Sequence, residues 1–240
     1  MKSVKYFLSL FALLIVSLSV VAQTADEIIT KHLEAIGGKE KLKGLTSSRF
    51  EFSTEAGQGS ATGFIATLNG KGYRSESDWG GQKVIQVYTD KNGWAQNPFV
   101  GSSDPQAMSD MQYKNGAGLI YVVPLLDYAA HGDKAELEGQ EKIGNVNAYK
   151  IKVTSKDNNV TTYFFDPTTY YMLQSVSTID FGGQPTSQVI KYSDYRKTDN
   201  GWVIPYVIET AFGDQFSMTS TITKAEVNKP IDATTFEMKK

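Results

Sequence analysis

Cysteine is absent from the sequence, and its absence excludes several kinds of structure and chemistry. The chain has no thiols for a disulfide, a thiolate nucleophile or a zinc-thiolate site. We also expect no lipid anchor of the bacterial lipoprotein type, because that lipid is attached to a cysteine. Stability must come from apolar burial instead, and 240 residues with 12% aromatic content are enough for a sizeable core.

Histidine is scarce as well, with only His32 and His131 in the chain. Neither lies in an HExxH pattern or beside a cluster of carboxylates, so we interpret both as surface or boundary residues. The nucleophile pattern G-x-S-x-G, the dinucleotide pattern G-x-G-x-x-G and the P-loop are missing too. Asp166 precedes Pro167, which is typical of a turn. We therefore predict that the protein is not an enzyme and that it binds no metal and no cofactor.

A strong excess of one charge is also lacking. The 24 basic and 26 acidic residues give a net charge of −2. Removal of residues 1–22 would take away Lys2 and Lys5 and no acidic residue, which makes the net charge −4. Such a surface has no electrostatic reason to bind nucleic acid or anionic lipid headgroups. We expect a monomer that does not bind nucleic acid.

The first 22 residues have the pattern of a secretory signal peptide. Lys2 and Lys5 form a basic start, and Tyr6–Val21 is an apolar run. Ala22 supplies the small residue that signal peptidase requires before its cleavage site. We predict cleavage after Ala22, release into the periplasm without an anchor, and a single domain over residues 23–240.

One amphipathic helix is predicted at the start of this domain. Thr24-Ala25-Asp26-Glu27 has the capping-box pattern S/T-x-x-E, and apolar residues then recur at helical spacing up to Ile36. Gly37-Gly38 is typical of a helix end, because glycine accepts the left-handed conformation there.

After Gly44 the pattern changes to alternating apolar and polar residues, which is typical of β-strands. The clearest strand runs from Trp202 to Phe212, and Phe216 and Met218 continue its apolar side after a turn. Turn signals such as Asn69-Gly70 separate the runs. We predict an α+β fold that is mainly β, with an antiparallel sheet of about 10 or 11 strands joined as hairpins.

Residues 108–132 break this alternation. Leu119–Val123 is continuously apolar, and Pro124 and Gly132 suit the start and the end of a helix. We predict one or two short helices here, inserted midway through the sheet. Helices with so little polar surface must cover an apolar face.

Large apolar side chains are available for such a face, and two interpretations of them remain open. They form either an ordinary core beneath the helices or a cavity that opens for a hydrophobic guest. In the second case, the predicted guest-binding residues are Phe50, Phe52, Tyr73, Trp79, Trp94, Leu119, Val122, Leu125 and Leu126.

Taken in order, the segments resemble the LolA-like superfamily of outer-membrane lipoprotein-sorting carriers. Lys71–Arg74 is similar to the family's Lys-x-x-Arg stretch, and Tyr88–Trp94 to its strand, turn and following tryptophan. Tyr163–Asp166 resembles part of a middle hairpin, and Asn228–Phe236 looks like the closing segment. The resemblance covers nearly the whole mature chain.

This resemblance implies an incomplete antiparallel β-barrel, lined with aromatic side chains and covered by the N-terminal helix and a helical lid at residues 108–132. It implies transport of acylated lipoproteins or lipids between an inner-membrane donor and an outer-membrane acceptor. The family carriers have an arginine that hydrogen-bonds the lid closed, in a turn where this chain has Leu68-Asn69. We expect Arg49 or Arg74 to replace that latch, or else no lid-controlled transfer.

Three functions are therefore considered. The first is a soluble periplasmic carrier or binder of acyl chains. The second is a non-enzymatic envelope module for protein interaction or sensing, in which the lid is permanently packed as core. A hydrolase would require a histidine beside a carboxylate in a cleft. A filled interior favours the module, and an empty apolar interior favours the carrier.

Overall fold

The structure is a computed structural model that describes residues 23–57, 59–181, 184–214 and 216–238. The predicted signal peptide, residues 1–22, lies outside these ranges. Thirteen described strands form one antiparallel sheet. They are β1 Ser47–Ala56, β2 Gly59–Leu68, β3 Gly72–Trp79, β4 Gln82–Thr89, β5 Gly93–Asn97, β6 Ser102–Ala107, β7 Lys134–Ile143, β8 Val146–Thr154, β9 Val160–Phe165, β10 Met172–Phe181, β11 Gln184–Lys197, β12 Val203–Phe212 and β13 Phe216–Val227.

Neighbours in the sheet are neighbours in sequence with one exception. The spatial order is β6-β5-β4-β3-β2-β1-β13-β12-β11-β10-β9-β8-β7, so the pairing of β1 with β13 joins the first strand to the last. β6 and β7 lie at the two edges, and among the described strands they do not pair with each other. The sheet is therefore open, in agreement with the predicted incomplete barrel.

The strand number is higher than the 10 or 11 predicted. β6 contains Pro105 and no large apolar side chain, and most of β7 is exposed, so neither strand shows an apolar face in the sequence. The apolar alternation predicted for the long strands is confirmed. Phe212 of β12 pairs with Phe216 of β13, and Thr210 pairs with Met218, which places all of these on one face.

Helix α1 (Ala25–Ala35) begins at the predicted capping box. The hydroxyl oxygen of Thr24 accepts the backbone N–H of Glu27 at 3.2 Å, and the Glu27 carboxylate accepts the N–H of Thr24 at 3.1 Å. A short helix α2 (Lys39–Lys43) follows. The N–H of Val203 donates to the carbonyl of Ile36 at 2.8 Å, which ties the end of α1 to the start of β12.

The sheet curves around α1. Phe50 of β1 and Ile151 of β8 belong to one buried cluster that includes the apolar side of α1. In a flat sheet the six strand spacings between β1 and β8 would be about 29 Å, far more than the diameter of a helix. Side chains of both strands join one cluster around α1 because the sheet bends. We call the face that carries α1 the inner face and the other the outer face.

Residues 108–132 connect the two edge strands and differ in detail from the prediction. Helix α3 (Asp110–Gly116) precedes the apolar run, a 3₁₀ turn covers Ala117–Ile120, and another covers Tyr128–His131 before Gly132. No helix begins at Pro124, where the chain forms turns. The run is too short and too apolar to hold a helix by itself, and its conformation follows the surface on which it packs.

The outer face is covered by the C-terminal residues 228–238. The ring of Phe236 packs with Ile85, Val87 and Trp94 in a second buried cluster. Gly72 lies beneath this ring, where a Cβ atom would come within 2.6 Å of it. We call this segment the C-terminal strap.

Candidate functional site

The apolar run of residues 108–132 packs on the inner face beside α1. Val123 and Leu125 are buried in the same cluster as Ile28 and Leu33 of α1. Val122 and Leu126 are half-buried against that cluster, whereas Leu119 is 40% exposed. Four of the predicted guest-binding residues lie in this run, and their burial differs: Leu125 is buried, Val122 and Leu126 are half-buried, and Leu119 is exposed.

Phe50 also belongs to this covered part of the inner face. Its ring lies 5.8 Å from the ring of Trp202. Phe52, two residues further along β1, lies beyond the cluster and is half-buried. The Phe52 ring crosses its cross-strand partner Gly63, where a Cβ atom would meet the ring at 2.8 Å.

The remainder of the inner face lies outside the buried cluster around α1 and residues 108–132, and we call it the trough. Its apolar side chains share the inner face by strand register and are half-buried, so each keeps a surface available to a ligand. This trough includes two of the predicted residues, Phe52 and Trp79. Its main apolar members are Phe52, Ile65, Trp79, Val84, Ile190, Ile208 and Met218.

Polar groups in the trough bond to one another. The hydroxyls of Thr54 and Ser220 lie 2.7 Å apart, and those of Ser175 and Tyr192 lie 2.9 Å apart. The indole N–H of Trp79 donates to the Ser77 hydroxyl at 3.0 Å. These pairs are neutral, and by register the uncharged side chains of Gln86 and Gln188 also lie on this face, so the polar chemistry of the trough carries no charge.

Tyr73, another predicted residue, lies on the inner face at the far end of β3, where its ring is 6.2 Å from that of Tyr88. Burial raises the pKa of Tyr73 to about 12, against a smaller opposing effect of the hydrogen bond with Ser75. The phenol is therefore neutral at physiological pH.

Trp94 and Arg74 do not lie where the sequence suggested. Trp94 is on the outer face, where its indole N–H donates to the carbonyl of Phe236 at 3.0 Å. Arg74 is also on the outer face and donates to the carbonyl of Thr235 at 3.0 Å and to Glu76 at 2.7 Å. Both side chains hold the C-terminal strap, so neither lines the trough nor contacts residues 108–132.

Arg49 likewise points to the outer face. Its guanidinium lies 3.9 Å from the centre of the Phe64 ring and 3.8 Å from the Glu51 carboxylate. It lines an open, polar cleft of about 400 Å³ on the outer side of β1–β4. This position does not support a role for Arg49 as a latch.

Asn69 contacts residues 108–132 from the turn between β2 and β3. Its side-chain oxygen accepts the backbone N–H of Val122 at 3.1 Å. The next residue, Gly70, donates its N–H to the carbonyl of Ile120 at 2.8 Å. Asn69 thus stands in the turn where the family carriers have their arginine. The sequence-based prediction named only the cations Arg49 and Arg74 as latch residues, although the position of Asn69 in this turn was itself a signal.

Three further contacts hold residues 108–132. The phenol of Tyr128 donates to the Asp26 carboxylate on α1, and burial together with this bond raises the pKa of Tyr128 to about 12. The phenol of Tyr113 donates to the carbonyl of Thr89 at 3.0 Å. The side-chain amide of Asn159 donates to the carbonyl of Lys114 at 2.9 Å, so both halves of the sheet contact this segment.

The two histidines lie in different settings. The surface or boundary position expected for His32 of α1 is wrong: the side chain is buried against the sheet, with its Nδ1 atom 2.8 Å from the carbonyl of Tyr170. His131 stacks on Tyr121 with ring centres 3.9 Å apart. Within the described part of the chain, no group of three histidine and acidic side chains is placed to hold a metal ion.

Comparison by sequence identifies no relative: no protein-family model matches this chain, and no curated protein does. Comparison by structure does find neighbours. A domain assigned to outer membrane lipoprotein sorting from Vibrio parahaemolyticus has a TM-score of 0.58 at 11% identity, covering 88% of this chain and 97% of the other. A LolA superfamily protein from Nitrosomonas europaea has a TM-score of 0.56 at 13% identity, covering 90% and 98%.

A DUF1329 family protein from Desulfovibrio piger is similar to the same extent, with a TM-score of 0.57 at 13% identity over 89% of this chain and 97% of its own. Identities this low show a shared fold and nothing finer. The chain therefore has the LolA-like fold that its sequence predicted. No described helix is both long and apolar enough to cross a membrane.

Proposed function

We propose that this protein is a periplasmic carrier or binder of acyl chains, which it takes into the trough of the inner face. The observation that supports this most is the half-buried apolar trough continuous with the core under residues 108–132. Each buried methylene contributes about 0.8 kcal/mol, so an acyl chain of ordinary length gains enough to bind firmly without a directional polar site. The proposed guest is an acylated lipoprotein or a lipid, as in the sorting proteins that share the fold.

In this proposal residues 108–132 act as a lid, and the structure represents the closed form. Opening the lid would lengthen the trough by exposing the surface beneath Val123 and Leu125. Asn69 and Gly70 hold the middle of the lid through two hydrogen bonds to its backbone. The turn between β2 and β3 therefore serves as the latch.

Asn69→Ala tests the latch. It removes one hydrogen bond worth about 1 kcal/mol from the closed form, so the open form becomes more populated. A fluorescent fatty-acid probe should then bind roughly fivefold more tightly, because apparent affinity scales with the population of the competent state. Asn147→Ala is the matched control, since Asn147 is an exposed asparagine in β8 whose side chain donates to Gln140 and not to residues 108–132 among the described contacts.

The outcomes separate the parts of the proposal. Probe binding that is equal in wild type, Asn69→Ala and Asn147→Ala would reject the latch but keep the binder. The binding function would be rejected by two results together. Wild-type protein would bind no probe, and native mass spectrometry of protein taken from the periplasm would find no fatty acid, phospholipid or acylated peptide.

One observation favours the interaction module instead. Ile120, Val123 and Leu125 are at most 7% exposed, which is what a permanently packed segment would show. Hydrogen exchange distinguishes the two functions. Amides of residues 119–128 that exchange as slowly as those of β1 and β13 would favour the module, whereas exchange by a separate, faster opening would favour the carrier.

A further inference from the structure

Five hairpins that are neighbours in the sheet turn at the same ends of their strands, where the trough opens. Their turns lie between β1 and β2, β3 and β4, β5 and β6, β10 and β11, and β12 and β13. We call these turns, with the two strand residues on each side, the tip row. The turn between β8 and β9 is excluded because Asn159 attaches it to Lys114.

The tip row repeats a short sequence pattern. An aromatic residue, a glycine, any residue and a glutamine occur in Trp79–Gln82, Phe181–Gln184 and Phe212–Gln215. In the described turns Gly80, Gly81 and Gly213 have positive φ angles of 64°, 94° and 55°, which permits tight reversals. Trp79 and Phe212 thus stand immediately before glycines that permit a tight reversal.

Large apolar side chains are exposed at this row. Phe99 is 60% exposed, Val100 is 58% exposed and Phe216 is 39% exposed. Trp79 is half-buried and faces the trough by register. The described turns at the other ends of the strands expose no comparable side chain. The exposure is therefore specific to the end at which the trough opens.

The charges of the tip row indicate which apolar surface it fits. By sequence its charged residues are four carboxylates, Glu55, Asp78, Asp180 and Asp214, and one lysine, Lys83. Such a surface is not drawn to anionic lipids, whereas aromatic side chains favour the interface of any bilayer. A lipid surface without net charge accepts the aromatic side chains and does not repel the carboxylates.

We propose that the tip row docks on a zwitterionic lipid leaflet, with Phe99, Val100 and Phe216 inserted among the headgroups. An acyl chain then passes lengthwise between the leaflet and the trough. This transfer step rests on the proposed function, whereas docking itself does not depend on it. From residue 51 to residue 56 the trough is about 17 Å long, close to the roughly 15 Å of hydrocarbon in one leaflet. One lipid tail therefore matches the trough in length.

Vesicle flotation tests the docking, with the chain from Gln23 onward so that the apolar first residues do not contribute. Wild type should float with phosphatidylcholine vesicles, and added phosphatidylglycerol should not strengthen binding. Phe99→Ser with Val100→Ser should weaken partitioning about tenfold, because two exposed apolar side chains no longer insert. Met111→Ser is the matched control, as Met111 is 62% exposed but lies on α3.

Trp79 gives a second readout, since Trp94 and Trp202 are buried. Vesicles should shift the tryptophan emission to shorter wavelength, and Trp79→Phe should remove the shift while flotation persists. Absence of flotation, flotation that requires phosphatidylglycerol, or equal loss in Met111→Ser overturns the proposal. Fatty-acid probe binding should be unchanged in Phe99→Ser with Val100→Ser, which separates a failure of docking from a failure of the binding function.

Discussion

At the scale of single residues, His32 stands out as a buried titratable group in the middle of the fold. It is 5% exposed, and its ring lies 4.9 Å from that of Phe165. Burial lowers its pKa to about 4, and the hydrogen bond to the Tyr170 carbonyl opposes this only in part. The neutral ring, with its proton on Nδ1, is the form that donates to that carbonyl.

This lowered pKa predicts a loss of stability in mild acid. The unfolded chain takes up the proton near pH 6.5 while the folded chain resists it down to about pH 4, so stability present above pH 6.5 is lost between these values. The expected loss is about 3 kcal/mol, measured as the urea midpoint against pH. His32→Gln should flatten this part of the profile relative to wild type, and His131→Gln should not. Parallel profiles for wild type and His32→Gln would contradict the assignment.

At the scale of elements, the C-terminal strap holds the outer face through one ring and two carbonyls. Phe236 closes the cluster over Ile85 and Val87, and its carbonyl accepts the indole N–H of Trp94. Gly72 provides the space for the ring. The strap therefore links β13 to strands on the far side of β1.

A double-mutant cycle tests this packing. Phe236→Ala should lower the free energy of unfolding by about 3–5 kcal/mol, and Gly72→Ala should also destabilise because its Cβ meets the ring. The double variant should be less destabilised than the sum, since no ring remains for the Cβ to meet. Met238→Ala is the control, because Met238 is 44% exposed. Additive effects in the cycle would show that Gly72 and Phe236 are not coupled.

The elements also show what the sequence could reveal. Helix α1 and the long strands were predictable because the capping box and the alternation are local signals. The outer position of Trp94 was not, because β5 has five residues and too little alternation to assign a face, and its cover comes from residues far along the chain. The place of Asn69 in its turn was visible in the sequence, but its partner, the N–H of Val122, is a backbone group that leaves no trace in composition.

At the scale of the whole molecule, both faces of an open sheet are partly covered. α1 and residues 108–132 cover the inner face, and the C-terminal strap covers the outer face.

Val122→Asp tests whether residues 108–132 move away from the inner face. Val122 is half-buried, so an aspartate there should leave the sheet intact by circular dichroism and abolish binding of the fatty-acid probe. Leu125→Asp should also leave the sheet intact, although the site is only 4% exposed, because an opening lid carries the charge into water. Unfolding of both variants would identify the segment as core and favour the interaction module.

The pairing of β1 with β13 has a consequence for the order in which the molecule is made. β1 is synthesised early, yet one of its two neighbours is the last strand, so the central seam of the sheet cannot form until almost the entire chain is present. Contacts this distant in sequence slow folding. A chain that crosses a membrane through a pore would therefore remain incompletely folded, and so able to pass, until its last strand had emerged.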